Sequence, residues 1–162
     1  MGFRRVSGCV LMVGMFAVAL GAVRPDAAAA ACLQQVTGAY LTTITTGPSV
    51  ASRSTLLLNV QGTMSVIDST QGTVGFTAAQ GAWDCHVQHG QRELRATALD
   101  FNTAGDTIAR TDYQATFDPH SETIAGTITL RSFPLLSDPL GSGGTVIGTF
   151  AFTGQRIPAG GN

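Results

Sequence analysis

The 162-residue chain is about one domain long, 44% hydrophobic and only 12% charged. All nine basic residues are Arg, and the lack of Lys excludes a P-loop lysine, a Schiff-base lysine and a lysine general base. Formal charge is −1 overall; beyond the first 31 residues six Arg face nine Asp and Glu, giving −3, which argues against a nucleic-acid partner.

Residues 1–31 have the layout of a secretory signal peptide. Arg4 and Arg5 form a positive start, Gly8 to Val23 is an uncharged apolar run of sixteen residues, and Arg24-Pro25-Asp26 breaks it before Ala27 to Ala31, which offers A-x-A cleavage registers. The run is short for a membrane span, which needs about 20 apolar residues. The expectation is an exported chain, secreted or periplasmic. Cys32 follows the alanines, which raises a lipid anchor there, but no large aliphatic residue stands at the third position before it. Removal of the leader takes Cys9 with it and leaves Cys32 and Cys85, two thiols that an oxidising compartment would pair. The bridge is the preferred reading.

From Gly38 onward the chain reads as strands. Thr is abundant, at twenty-one residues, and alternating or β-branched segments are separated by turn residues at close spacing. The pattern predicts strands near Gly38–Thr46, Arg53–Val60, Thr63–Ser69, Ala79–Val87, Glu93–Phe101, Ala109–Phe117, Thr123–Phe133 and Thr145–Gln155. Gln61-Gly62 and His89-Gly90 read as tight hairpin turns. Two connections are expected to be long: Gly47 to Ser52, and Pro134 to Gly144, the latter a candidate lid. Sequential hairpins predict an all-β fold, an eight-stranded antiparallel up-and-down barrel over residues 32–157, with a two-sheet sandwich as the alternative. Residues 158–162 read as a disordered tail.

Alternation sorts each strand into two faces. It groups Thr111, Tyr113, Ala115 and Phe117 on one face, against Arg110, Asp112, Gln114 and Thr116. It likewise groups Ile124, Gly126, Ile128 and Leu130, then Phe150 with Phe152, then Gly81, Trp83, Cys85 and Val87. The expected wall of an interior pocket is Tyr40, Leu56, Leu58, Trp83, Tyr113, Phe117, Phe150 and Phe152. Those residues could equally fill a small barrel, since eight strands is the size at which either occurs.

Catalytic and metal signals are sparse. Asp84, Cys85, His86, His89 and His120 carry ligand chemistry, but Cys85 and His86 point to opposite faces of a strand and His89 falls in a turn, so no metal or cofactor is expected. There is no Gly-x-Ser-x-Gly elbow and no His-Glu-x-x-His. Arg110, Asp112 and Arg131, with Asp100 nearby, form either an outward ion-pair ladder or, if turned inward beside Tyr113, an acid/base or anion-anchoring group. Arg110, Asp112 and Tyr113 are therefore the candidate catalytic residues.

Thr37-Gly38-Ala39-Tyr40 at the start of the first strand resembles the Gly-x-Trp motif of the calycin group, the lipocalin-like ligand-binding barrels, with Tyr40 in place of Trp. Arg156 after the last strand is similar to the arginine that packs across that aromatic. The layout also resembles the allene-oxide-cyclase-like barrels, which include cyclases and isomerases of lipidic or polyketide substrates; none of their catalytic residues matches a position here. These resemblances imply a barrel that holds a small hydrophobic molecule or, alternatively, one that cyclises or isomerises an apolar substrate. A third expectation is an interaction domain with a filled core. Inward Asp or Arg in a cavity would favour the enzyme, a dry apolar cavity the carrier, and no cavity the interaction domain.

Overall fold

The structure, a computed structural model, describes residues 27–160; most of the expected leader, residues 1–26, and the end of the expected tail lie outside them. It is a closed barrel of eight antiparallel strands, each paired with the next and the last with the first. The strands are β1 (Gly38–Thr46), β2 (Ser49–Leu58), β3 (Thr63–Asp68), β4 (Ala79–Gln88), β5 (Gln91–Phe101), β6 (Thr107–Asp118), β7 (Thr123–Pro134) and β8 (Thr145–Arg156). Closure leaves no sheet edge to be covered, and the sandwich alternative is excluded. Inward positions follow the alternation read from the sequence: Tyr113, Ala115 and Phe117 on β6, Ile124 and Ile128 on β7, and Trp83 and Cys85 on β4 are all buried.

Turn chemistry sets the hairpins. His89 and Gly90 both take positive φ, +51° and +78°, as a two-residue hairpin requires. The expected long link from Gly47 to Ser52 is instead the two residues 47–48, because pairing runs on to Thr46↔Ser49. Conversely, the link around Gln61-Gly62 spans 59–62. The Asn59 carbonyl is held by the Gly62 N–H at 3.0 Å and the Trp83 indole N–H at 2.9 Å, which ends β2 early.

The alternation of strands does not foretell two helices. α1 (Ala27–Val36) takes in Ala27 to Ala31, the stretch read as a cleavage region; Ala is the strongest helix former, so five in a row suit either reading. α1 lies across the barrel end where β1 begins, burying Cys32 and Val36 against Tyr40, Leu58, Cys85, Leu94 and Ile124. Cys32 and Cys85 lie at disulfide distance, with Cα atoms 5.7 Å apart, so the bridge ties α1 to β4 across 53 residues of sequence. Cys32→Ser with Cys85→Ser is expected to lower unfolding free energy by about 2–4 kcal/mol, measured by urea melts of the oxidised parent and the double variant. A loss under about 0.5 kcal/mol would mean that α1 is held by packing alone.

α2 (Gln71–Val74) is a single turn inside the connection 69–78, a third long link, which crosses the opposite end of the barrel. Gly75 caps it in the left-handed conformation, φ +72°, and its carbonyl accepts from the Thr103 N–H at 2.7 Å. Thr77 N–H donates to the Phe101 carbonyl at 2.9 Å, so the segment is tied to the β5–β6 turn.

Candidate functional site

The two ends of the barrel are built differently. At the α1 end, Arg156 is the hub. Its guanidinium lies 5.5 Å from the Tyr40 ring centroid and 5.2 Å from that of Phe117. It donates to the Tyr40 hydroxyl at 3.0 Å, to the Gln35 carbonyl, and to Glu122 Oε1 at 3.0 Å. Tyr40 in turn donates to the Val36 carbonyl at 2.6 Å, locking the last turn of α1. Burial raises the Tyr40 phenol above its usual value, only partly offset by Arg156. Gly38 permits this approach: its φ is +155°, and a Cβ there would meet Arg156 Nε at 3.2 Å. The Gly-Ala-Tyr and Arg residues that suggested the calycin resemblance thus meet in space and seal this end.

Most of the aromatic wall expected for a pocket belongs to that sealed end or to the packed middle. Tyr40, Leu56, Leu58, Trp83, Phe117 and Phe152 are all buried in one continuous core, and none of them borders the open space of the barrel. Tyr113 and Phe150 do border it.

That space is a cavity of about 480 Å³ at the opposite end, where β1, β3, β5 and β7 finish and β2, β4, β6 and β8 begin. Its apolar surface comes mainly from Ile44, Val66, Ala79, Ile128, Leu130 and Phe150. Two register slips shape it. Pairing skips Ala51 on β2 and Ile147 on β8, bulges that present one extra lining residue each. Thr70, Gln71, Val74 and Phe76, from the α2 segment, complete the wall. The candidate lid therefore sits elsewhere than expected. Loop 135–144 lies along the outside of the barrel, where Arg110 donates to the Pro139 and Gly141 carbonyls at 3.2 and 3.0 Å, and contributes no lining residue. Its last residue, Gly144, lies against the ring of Phe133, which with its strand partner Ile108 is buried although both point outward.

Polar groups reach the cavity at its mouth and floor. Tyr113, only 7% exposed, packs edge-on against Phe152 with ring centroids 5.7 Å apart, and its hydroxyl has no hydrogen-bond partner among the described residues. Asp68 ends the inward series Met64, Val66, Asp68 on β3. Its carboxylate accepts from the Ser52 hydroxyl at 2.8 Å and from the Thr70 N–H and hydroxyl at 2.8 and 2.6 Å. Asp100 ends the matching series Leu94, Ala96, Ala98, Asp100 on β5, and its Oδ1 is buried without a partner. Burial pushes Asp100 up to about 6, with the nearby Asp68 charge adding to the shift. Burial, then the Asp68 and Asp100 charges, drive the Tyr113 phenol upward as well.

The other two catalytic candidates lie outside. Arg110 Nε donates to Asp112 Oδ1 at 2.8 Å, Thr97 donates to the same oxygen at 2.8 Å, and Arg131 Nε stands 3.8 Å from Asp112 Oδ2. This is the outward ladder, and its role is to anchor loop 135–144. Asp84 pairs with His86 at 3.2 Å on the exposed face of β4, and among the described residues no three His, Cys, Asp or Glu side chains gather as metal ligands. Nor is any described helix long and apolar enough to cross a membrane.

The site that matters is thus a half-barrel cavity with apolar walls, two carboxyl groups and one phenol. Asp68 and Asp100 were legible by the same parity that located Tyr113, because each continues an apolar inward series by two residues. Searches of family models, of curated proteins and of solved structures return no match to the chain, so its own geometry carries the functional argument.

Proposed function

We propose that the protein is an exported β-barrel that binds a small hydrophobic molecule in its interior. The observation carrying this reading is the apolar cavity of about 480 Å³ at one end of a barrel whose other end is packed solid. That size lies in the range of small-molecule sites, about 300–1,000 Å³. Val74 and Ile147 border the cavity and are more than half exposed, so the mouth itself is apolar. Export is supported by the leader pattern of residues 1–31 and by the Cys32–Cys85 pair, which suits an oxidising compartment. With the Cys32 sulfur in a bridge and only 2% of the residue exposed, a thioether lipid anchor at that position is disfavoured.

Inward Asp68 and Asp100 are the feature expected to favour the cyclase or isomerase reading, which stands second because the lining is mostly apolar and no catalytic residue of that group matches a position here. An acid held near 6 beside a buried phenol in an apolar cavity is suited to proton transfer at neutral pH. Both readings need the cavity to be occupied. An interaction domain with a filled core does not, and the cavity speaks against it.

The test is native mass spectrometry of the protein purified gently from its own host, followed by titration with the neutral fluorophore N-phenyl-1-naphthylamine. The expected result is one small molecule per chain, or a saturable fluorescence rise with a stoichiometry of one. A bare chain with no fluorescence rise would overturn the binding reading. A co-purified molecule recovered chemically altered after incubation would select the enzyme over the carrier.

A further inference from the structure

Four ionisable side chains border the cavity: Asp68, Asp100, Tyr113 and Arg131. Arg131 lies on the rim, its Nε 3.8 Å from Asp112 Oδ2 on the outer face, the chain has no Lys, and no cation is among the groups that act on Asp100. The carboxyl group of Asp100 therefore has no cation beside it to match its charge. Asp68 has donors on both oxygens from Ser52 and Thr70, which hold it in place. Asp100 Oδ1 is buried and has none; the Tyr113 side chain, more than nine-tenths buried, borders the same space, and its hydroxyl makes no hydrogen bond among the described residues. Buried acceptors without donors cost stability unless something else satisfies them. The unmet demand at this site is for N–H or O–H donors and for positive charge.

We infer that the ligand is an amphipathic amine, its protonated nitrogen lodged among Asp100, Asp68 and the Tyr113 oxygen and its apolar body against Ile44, Val66, Ile128, Leu130 and Phe150. This deepens the carrier reading and rests on it. An ammonium supplies three donors and no acceptor, which matches a carboxylate oxygen with no donor on it, a second carboxylate and a phenol oxygen. A fatty acid of the same length would bring a third negative charge into the same space and would be excluded. A neutral alcohol would fill the apolar part and donate one hydrogen bond.

The probes are octylamine, octan-1-ol and octanoate, titrated calorimetrically into the purified protein at pH 7.5. Octylamine is expected to bind about tenfold or more tighter than octanol, the size of one charge-assisted hydrogen bond, with octanoate weakest. In Asp100→Asn the preference for amine over alcohol is expected to fall below about threefold. Asp100 Oδ1 holds no partner in the protein, so this variant disrupts no internal hydrogen bond of that oxygen, and a thermal melt verifies folding. Octanol or octanoate binding as tightly as octylamine to the parent would overturn the amine assignment and leave the carrier reading standing. An amine preference undiminished in folded Asp100→Asn would overturn it too. Failure of all three probes to bind would overturn both the assignment and the carrier reading.

Discussion

Ala109→Phe is expected to lower affinity for any interior ligand by tenfold or more while leaving the melting temperature within a few degrees of the parent. Ala109 sits on β6 opposite Asp100, buried and bordering the cavity, so a larger side chain there grows into free volume. Overpacking a filled core costs about 1–3 kcal/mol because neighbours must move. Here the added ring meets open space, and the apolar surface it buries offsets part of any strain. The control is a residue of the packed end. Leu58→Ala deletes a fully buried side chain in the sealed core and is expected to cost about 2–5 kcal/mol of stability. In the folded fraction, fluorophore affinity should remain close to that of the parent. Fluorophore titration and thermal melts on both variants separate the two ends of the barrel. If Ala109→Phe proved as destabilising as Leu58→Ala, the cavity would be closed in solution and the two ends would be equally packed.

The contrast between these variants shows where the sequence is informative and where it is not. Strand positions and faces were legible because antiparallel hairpins leave a period of two in the chain, and because a closed barrel with one apolar side keeps that period in register on every strand. That is why Tyr113, Phe117, Ile124 and Phe152 fall inside as expected. Depth along the barrel axis was not legible. Alternation tells inward from outward but does not tell the sealed end from the open one, so it groups Tyr40, Leu56 and Leu58 with Phe150 although they lie at different depths of the barrel. The end that is sealed depends on α1, whose five alanines carry no amphipathic stripe, and on the Cys32–Cys85 pair that holds it.

The roof of the cavity was hidden for a different reason. A single helical turn such as Gln71–Val74 is too short to show a period, and the glycine that ends it looks like any turn residue. Proline and glycine in Pro134 to Gly144 drew attention to the longer loop, which the structure places outside, held by Arg110. Of the two acids, the sequence singles out only Asp100, and inward carboxyl groups are rare enough that an outward ladder is the readier expectation. Sequence order sets Asp100 beside the outer ladder; in the barrel it shares its face with Ala98 and Ala96, two and four residues earlier.

Asp100 also sets the expected pH behaviour of the free protein. Its carboxyl titrates near 6 in the folded chain against an ordinary value of 3.8, so between those limits the native state holds more of the proton than the unfolded state does. Stability from this group is therefore greatest below about pH 4 and falls as pH rises towards 6, after which the loss is constant. Asp68, Tyr113 and Arg131 face the same space; Asp68 adds to the penalty, and Tyr113 stays neutral throughout this range because its own shift is upward. Asp100→Asn removes the ionisation and should stabilise the ligand-free protein at pH 7–8 by about 1 kcal/mol, a figure reduced for the solvent that still reaches this partly exposed residue. That corresponds to a rise of roughly 3–5 °C in melting temperature for a barrel of this size, vanishing at pH 3.5. Thermal melts of parent and variant across pH 3.5–8 measure it, and equal melting temperatures at every pH would show that Asp100 is solvated in solution. A bound amine reverses the sign: the ammonium favours the ionised carboxyl, so saturating octylamine should raise the parent's melting temperature at pH 7.5 and raise that of Asp100→Asn much less. The carboxyl that weakens the empty barrel would then be the group that makes the filled one stable.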